Sequence, residues 1–330
     1  MRIFLFLFLV ISSIVSAVQT KTIIDMTGRS VEIPASVNKV VTAGGTPAVN
    51  AFLFALGCAD TIQNGMPGYM SGKNWKFQSI FAPKIATEPI VSNGGPSWDV
   101  NSETLSSLSY DVVFVVNKIS AENLTKKGFP VVALYWDSPV SIKRTMTLLG
   151  SIMGKEERAR EYNQYYDDTL KSVTKRVSNV KVKPKALYMN YTNLSLPMTS
   201  TATWMIENAG GINVAKGQKD HAALNIEQLL TWNPDYLFVW NKKEIDLLYK
   251  DQRFASINAV KNKKVFVMPM GAHVWSHYTP EQPLAVMWAA EIFFPDAFKD
   301  ISIRKEVLDF YAHFLNYKLN DDEITQILNP

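Results

Sequence analysis

The sequence predicts an α/β protein: two Rossmann-like lobes with parallel sheets, joined by one long rigid helix. Three observations carry that prediction. Residues 101–118 (NSETLSSLSYDVVFVVNK) and 225–242 (NIEQLLTWNPDYLFVWNK) align without a gap, pairing Asn101 with Asn225, Glu103 with Glu227, Asp111 with Asp235 and Lys118 with Lys242. Each copy reads as an amphipathic helix, a short turn ending in Asp and a buried strand ending in Asn-Lys. One such unit is too short to be a domain, so its recurrence points to two similarly built lobes. Short β-rich runs also alternate with helical patterns, which argues for parallel sheets. Between the halves, residues 140–178 are helical in pattern, with one break near Gly154.

Taken in order, the first residues carry Arg2, an apolar run from Ile3 to Val10 and small residues ending at Ala17. That is the pattern of a secretory signal peptide over 1–17, cleaved after Ala17, and the run is short for a membrane anchor. Residues 18–142 then form an N-terminal lobe, 143–180 the connecting helix and 181–330 a C-terminal lobe. Residues 21–33 read as a hairpin, and 39–42 as a strand running into Gly44, Gly45, Thr46 and Pro47. Thr46 suits a helix N-cap with Pro47 at the first helical position, and Gly57 ends the helix. Residues 63–100, rich in Gly, Pro, Asn and aromatics, read as long surface loops. After the first repeat come a helix near 120–128 and a strand at 131–135. The connecting helix carries Ala159, Tyr162, Tyr166, Leu170, Val173 and Val177 on one stripe. A strand at 186–190, the second repeat, a strand at 265–269, an aromatic loop at 271–280 and helices over 283–292, 303–318 and 321–328 complete the chain.

Composition sets limits on function. An apolar fraction of 47% with 19% charged residues is that of a globular protein. A net charge of +4 is too mild to imply a nucleic-acid partner. Cys58 is the single cysteine, so no internal disulfide forms and no cysteine at the cleavage site accepts a lipid. Export without disulfides fits a bacterial periplasm.

Candidate site residues follow from where ligands sit in parallel α/β sheets, beyond the carboxyl ends of the strands. Gly44, Gly45 and Thr46 precede a helix start that can receive an anion; a tight strand-to-helix turn explains them equally well. Lys118 and Lys242 end the two repeat strands and would favour a negative ligand if they face a cleft; otherwise they are solvated strand-end lysines. Tyr69, Trp75, Trp98, Tyr135, Trp136, Tyr191, Trp240, Trp275 and Tyr278 concentrate in expected cleft loops and suit a large, flat ligand, although some of them are core residues. His221 and Tyr278, one nitrogen and one phenolate oxygen, would complete the shell of a partly ligated ferric ion. His273 and His277 have a chelating spacing for a helix, but Gly271 and Pro280 place them in a loop, where the spacing means little. No nucleophile elbow, phosphate-binding loop ending in Lys-Ser/Thr or His-Glu-x-x-His is present. Glu103 and Glu227 each begin a helix, where an acidic group is favoured; as a matched pair they also suit a two-fold symmetric partner.

The segments DMTGRSVEIPASVNKVV, NIEQLLTWNPDYLFVW after AGGINVAKG, and TPEQPLAVMWAAEIFFPDAF resemble periplasmic binding proteins of the ferric-siderophore and cobalamin class, which serve ABC importers. The resemblance covers essentially the whole chain after the signal peptide. It implies two α/β lobes joined by one long helix, no catalysis, and a monomer that meets an inner-membrane permease and its ATPase. It also implies that Glu103 and Glu227 dock on the permease. The first unit departs from the family pattern at Ser109 and Tyr110, which affects a turn and not the docking residue. The expected cargo is an iron(III) chelate of siderophore type held between the lobes, its metal carried within the ligand and no cofactor resident in the protein. A nickel or cobalt chelate, haem, cobalamin or molybdate are alternatives, and a periplasmic metal chelatase on a similar fold is a distant third. His221 and Tyr278 match loosely the His and Tyr with which some members hold ferric catecholates.

Overall fold

The structure, a computed structural model, describes residues 19–70, 72–92 and 99–330; the expected signal peptide and Trp98 lie outside the described residues. A two-stranded antiparallel hairpin, β1 (Thr20–Ile24) and β2 (Ser30–Pro34), opens the chain. β3 (Val40–Ala43), α1 (Thr46–Ala55), α2 (Lys76–Phe81), α3 (Ser102–Ser107), β4 (Val112–Val115), α4 (Lys118–Lys126) and β5 (Val131–Ala133) make the first lobe. Its three strands are parallel, in the order β3-β4-β5. α5 (Ser141–Met153) and α6 (Glu156–Val177) follow. The second lobe comprises β6 (Lys185–Met189), α7 (Thr199–Asn208), β7 (Ile212–Asn213), α8 (Ile226–Trp232), β8 (Tyr236–Val239), α9 (Lys242–Lys250), α10 (Asn258–Lys261), β9 (Val265–Val267), α11 (Gln282–Phe293), α12 (Ile303–Phe314) and α13 (Asp321–Leu328). Its sheet is also parallel, ordered β7-β6-β8-β9. The expected α/β fold with parallel sheets and a long joining helix is what forms.

The repeat builds the same unit twice. Asn101 and Asn225 cap α3 and α8 with their side chains, and Asn117 and Asn241 cap α4 and α9, satisfying amide groups that a helix start leaves open. Asp111 accepts from the backbone N–H groups of Asn38 and Lys39 just before β3, and Asp235 from that of Lys185 at the start of β6. Each turn aspartate therefore clamps the entry of the strand that pairs with its own.

Alternation along the strands sorts side chains to two faces. Val112, Phe114, Val132, Ala186, Tyr188, Tyr236 and Phe238 all point into one central core. The opposite faces close separately, with Val41, Val113 and Val131 in one cluster and Leu187, Leu237 and Val265 in another. The central core also holds Tyr162 and Tyr166 of α6 and Trp288 of α11, and so runs unbroken from one lobe to the other. Gln78 adds a polar tie, its Nε2 donating to Pro47 O in the first lobe (2.9 Å) and Ala272 O in the second (2.7 Å).

The break expected near Gly154 divides 140–178 into two helices, because Gly154 takes a left-handed conformation (φ 64°) and ends α5; α6, 22 residues long, is the long joining helix. Two local readings are corrected. Thr46 is not the cap of α1. It lies within the helix behind Gly45, buried, and its hydroxyl donates to Thr42 O. Residues 63–92 are not surface loops throughout, for Asn64, Phe77, Gln78 and Ile85 are buried.

Candidate functional site

The connections that follow strands β3, β4, β5, β6, β7, β8 and β9 enclose a pocket of about 610 Å³ between the lobes. The first lobe supplies Gly44, Gly45, Pro47, Ala48, Tyr69, Met70, Trp75, Val116, Asn117 and Trp136; the second supplies Met198, Asp220, His221, Trp240, His273, Val274, His277 and Tyr278. Gly44 has φ 71°, a conformation that glycine adopts at little cost, and this turns the chain from β3 into α1 at the pocket wall. Tyr69 and Trp240 line the pocket and are also exposed, which places them at its mouth.

Two rows of rings cross the lobe boundary. Phe52, Trp136 and Tyr278 follow one another at centroid spacings of 5.9 and 6.0 Å, and Trp136 is fixed by its indole N–H donating to Thr145 (2.9 Å). Trp75, His273, His277 and Trp240 form the second row, at 5.2, 5.0 and 6.3 Å. The backbone N–H of Trp240 donates to the buried carboxylate of Glu244 (3.1 Å), which holds the indole's base.

The loop after β9 carries most of the pocket's polar chemistry, and a buried carboxylate organises it. Glu281 accepts from the Tyr311 hydroxyl (2.6 Å), the Trp275 indole (3.2 Å) and the His273 backbone N–H (3.1 Å). A Cβ on Gly271 would overlap the Glu281 carboxylate and the Tyr311 hydroxyl, so the loop closes around Glu281 only with glycine there. Burial pushes the Glu281 carboxyl up to about 7. Burial also holds the His273 ring down at about 4 and His277 well below its ordinary value, the latter with help from the neighbouring His273 and His221. Both rings are therefore neutral imidazoles at neutral pH. Burial raises the Tyr278 phenol, whose oxygen lies 3.5 Å from Ser200 Oγ. Asp220 is occupied at one oxygen, which accepts from the Thr199 and Ser200 N–H groups at the start of α7. His221 takes a left-handed backbone (φ 60°), uncommon for a residue other than glycine.

Of the residues singled out from sequence, Gly44, Gly45, Trp240, His221 and Tyr278 line the pocket, as do Tyr69, Trp75 and Trp136. Others do not. Lys118 and Lys242 are the exposed first residues of α4 and α9 and stand off the wall. Trp275 is fully buried behind it. Tyr191 packs against Phe254 and donates to Asp251 (3.0 Å), on the far side of the second sheet. Thr46 is buried under the turn. Asn117, which ends the first repeat strand beside Lys118, lines the pocket; Val116 is not singled out from sequence, yet it is the repeat's counterpart of Trp240, so the alignment itself holds that signal. His273 and His277 were discounted on spacing, because nothing local reveals that their loop folds inward. Among the described residues no lysine or arginine lines the pocket, and no three His, Cys, Asp or Glu side chains are grouped to hold a metal ion. Glu103 and Glu227 are exposed on α3 and α8.

Comparison with known proteins agrees with this architecture. A family model described as "Periplasmic binding protein" matches residues 87–271. The molybdate-binding protein MolA of Haemophilus influenzae is 27% identical, the match covering 93% of this chain and 94% of that protein. The iron-uptake system-binding protein of Bacillus subtilis is 24% identical over 55% of this chain and 64% of its own. Among solved structures, a periplasmic solute binding protein from Veillonella parvula superimposes with a TM-score of 0.82 at 26% identity, over 94% of this chain and 97% of the other.

Proposed function

This chain belongs to the periplasmic binding protein family, and on that premise we propose that it captures a metal complex of low net charge in the interlobe pocket and delivers it to an ABC importer of the inner membrane. The observation that carries the reading is the lining: aromatic walls, neutral imidazoles and a phenol around about 610 Å³, with no lysine or arginine among the described lining residues. That volume lies in the range of small-molecule sites and would leave a bare ion or a tetraoxo anion with few partners. A multiply charged anion would also be desolvated there without a cation to pair with, which is costly. The relatives' names point to different cargoes, molybdate and iron, so the pocket chemistry is the better guide.

The iron(III) chelate expected from sequence relied on Lys118 and Lys242 for charge compensation. Their position off the wall moves the balance to a nickel or cobalt complex, since imidazole suits such borderline metals. A weakly charged ferric siderophore is the second reading, supported by the Tyr278 hydroxyl at the wall. In either case the metal travels within the cargo and the protein needs no resident cofactor. The protein would act in the periplasm, with Glu103 and Glu227, one exposed carboxylate per lobe, docking on the permease.

Tryptophan fluorescence tests the cargo directly, because Trp75, Trp136 and Trp240 line the pocket. Titration with nickel-histidine, ferric catecholates, haem, cobalamin and molybdate should give the strongest quenching with nickel-histidine. Quenching by none of them sinks the metal-complex reading. Glu103→Ala with Glu227→Ala should leave binding intact and abolish uptake into cells; lost binding would contradict the docking role.

A further inference from the structure

We propose that His273 and His277 form a two-point metal clamp, supplying two adjacent ligands to a metal ion whose remaining positions are filled by the chelator it arrives with. This rests on the metal-complex reading above and specifies the cargo further: the complex must have two neighbouring open or exchangeable positions.

The geometry carries the clamp. The two imidazole centroids lie 5.0 Å apart with planes inclined at 41°. Two imidazoles on one metal, each bound at about 2.0–2.1 Å with the ring centre roughly 1.1 Å beyond, have centroids about 4.5–5.1 Å apart for angles from square to tetrahedral. The observed spacing falls in that range before any metal is present. Both rings line the pocket, so a bound metal would sit against the cargo space. The tautomer of His273 is set as well. Its Nδ1 lies 3.3 Å from Val274 O, and a carbonyl only accepts, so Nδ1 carries the proton and Nε2 keeps its lone pair. A ligating histidine commonly donates from its other nitrogen in this way.

The surroundings hold the pair in place. Trp75 packs edge-on against His273 at 5.2 Å and Trp240 lies 6.3 Å from His277. Glu281 anchors the backbone of His273 from behind the loop. Among the described residues no third His, Cys, Asp or Glu joins the pair. A two-donor site does not cage a bare ion, but two donors suit a metal that already carries a chelator.

Metal–nitrilotriacetate complexes provide the probe, because that chelator leaves two neighbouring positions of nickel(II) to water, whereas ethylenediaminetetraacetate fills them all. Calorimetry on the wild-type protein should detect nickel–nitrilotriacetate and not nickel–ethylenediaminetetraacetate. His273→Gln and His277→Ala should each weaken binding about tenfold or more, with circular dichroism unchanged, while Lys242→Ala, off the pocket wall, stays within about threefold. As a check that needs no variant, pulsed electron paramagnetic resonance of copper(II)–iminodiacetate on the wild-type protein should report two directly bound imidazoles. One imidazole or none, or binding that persists in both histidine variants, overturns the clamp. Equal binding of both nickel complexes overturns the clamp and leaves the metal-complex reading standing. Failure of the wild-type protein to bind any metal complex, including those of the fluorescence titration, removes both.

Discussion

The first and second lobes present opposite characters to the same pocket, although the repeat frames both. Val116 and Trp240 occupy equivalent places, each just before an Asn that caps the next helix, and each lines the pocket. Around Val116 the first lobe offers glycine backbone, the Trp75 and Trp136 rings, the Tyr69 phenol and the Asn117 amide. Around Trp240 the second offers His221, His273, His277, Tyr278 and Asp220. The scaffold is thus duplicated while the pocket's imidazoles and its carboxylate are confined to one half. The first lobe shapes the space, and the second chooses what is held in it.

The comparison breaks most severely if the loop after β9 is prised from Glu281. Gly271→Ala should destabilise the protein by about 3 kcal/mol, the cost of overpacking a closed core, and abolish cargo binding; melting curves and fluorescence titration check both. Titration of Glu281 is of similar size. Its folded value of about 7 exceeds the ordinary 4.5, so the folded state binds the proton more tightly than the unfolded chain. The stability this brings is full below pH 4.5 and is lost as pH rises through 7, on the order of 3 kcal/mol in all. The depressed His273 and His277 titrate with the opposite sign below pH 6.5, so the Glu281 contribution is read as a difference: Glu281→Gln should gain stability relative to the wild type as pH rises from about 5 to about 8, in paired melting curves.

Smaller effects sharpen the contrast between equivalent positions. Trp240→Ala should weaken cargo binding about tenfold, or about 1.4 kcal/mol, through lost aromatic packing. Val116→Ala should change it by less than about threefold, since little contact surface goes with two methyl groups. If the two variants weaken binding equally, the division between shaping and selecting lobes is wrong. Least of all, Lys118→Ala and Lys242→Ala should leave affinity unchanged in the same titration; a loss there would restore the anionic cargo that their positions argue against.

Much of the scaffold was legible because its rules are local. Four asparagines cap four helices through spacings visible in the repeat, and the turn aspartates clamp neighbouring strands at matched positions. Gly154 likewise marks in the sequence the break that divides α5 from α6. At the site, aromatic density points to Trp75, Trp136 and Trp240, which line the pocket, but equally to Trp275 and Tyr191, which pack elsewhere. An aromatic side chain is suited to a cavity wall and to a core alike, so residue type does not separate the two.

Sequence alone determined the two lobes, their parallel sheets and the pairing of their repeat units, because hydrophobic period and capping act within a few residues. Tertiary structure alone decided that Lys118 and Lys242 stay off the pocket wall while His273 and His277 come together on it. That outcome depends on Glu281 binding Tyr311 and on Gln78 reaching Ala272, contacts between segments 30 and 194 residues apart. Spacing along the chain carries no record of such contacts; they exist only once burial has brought the partners together.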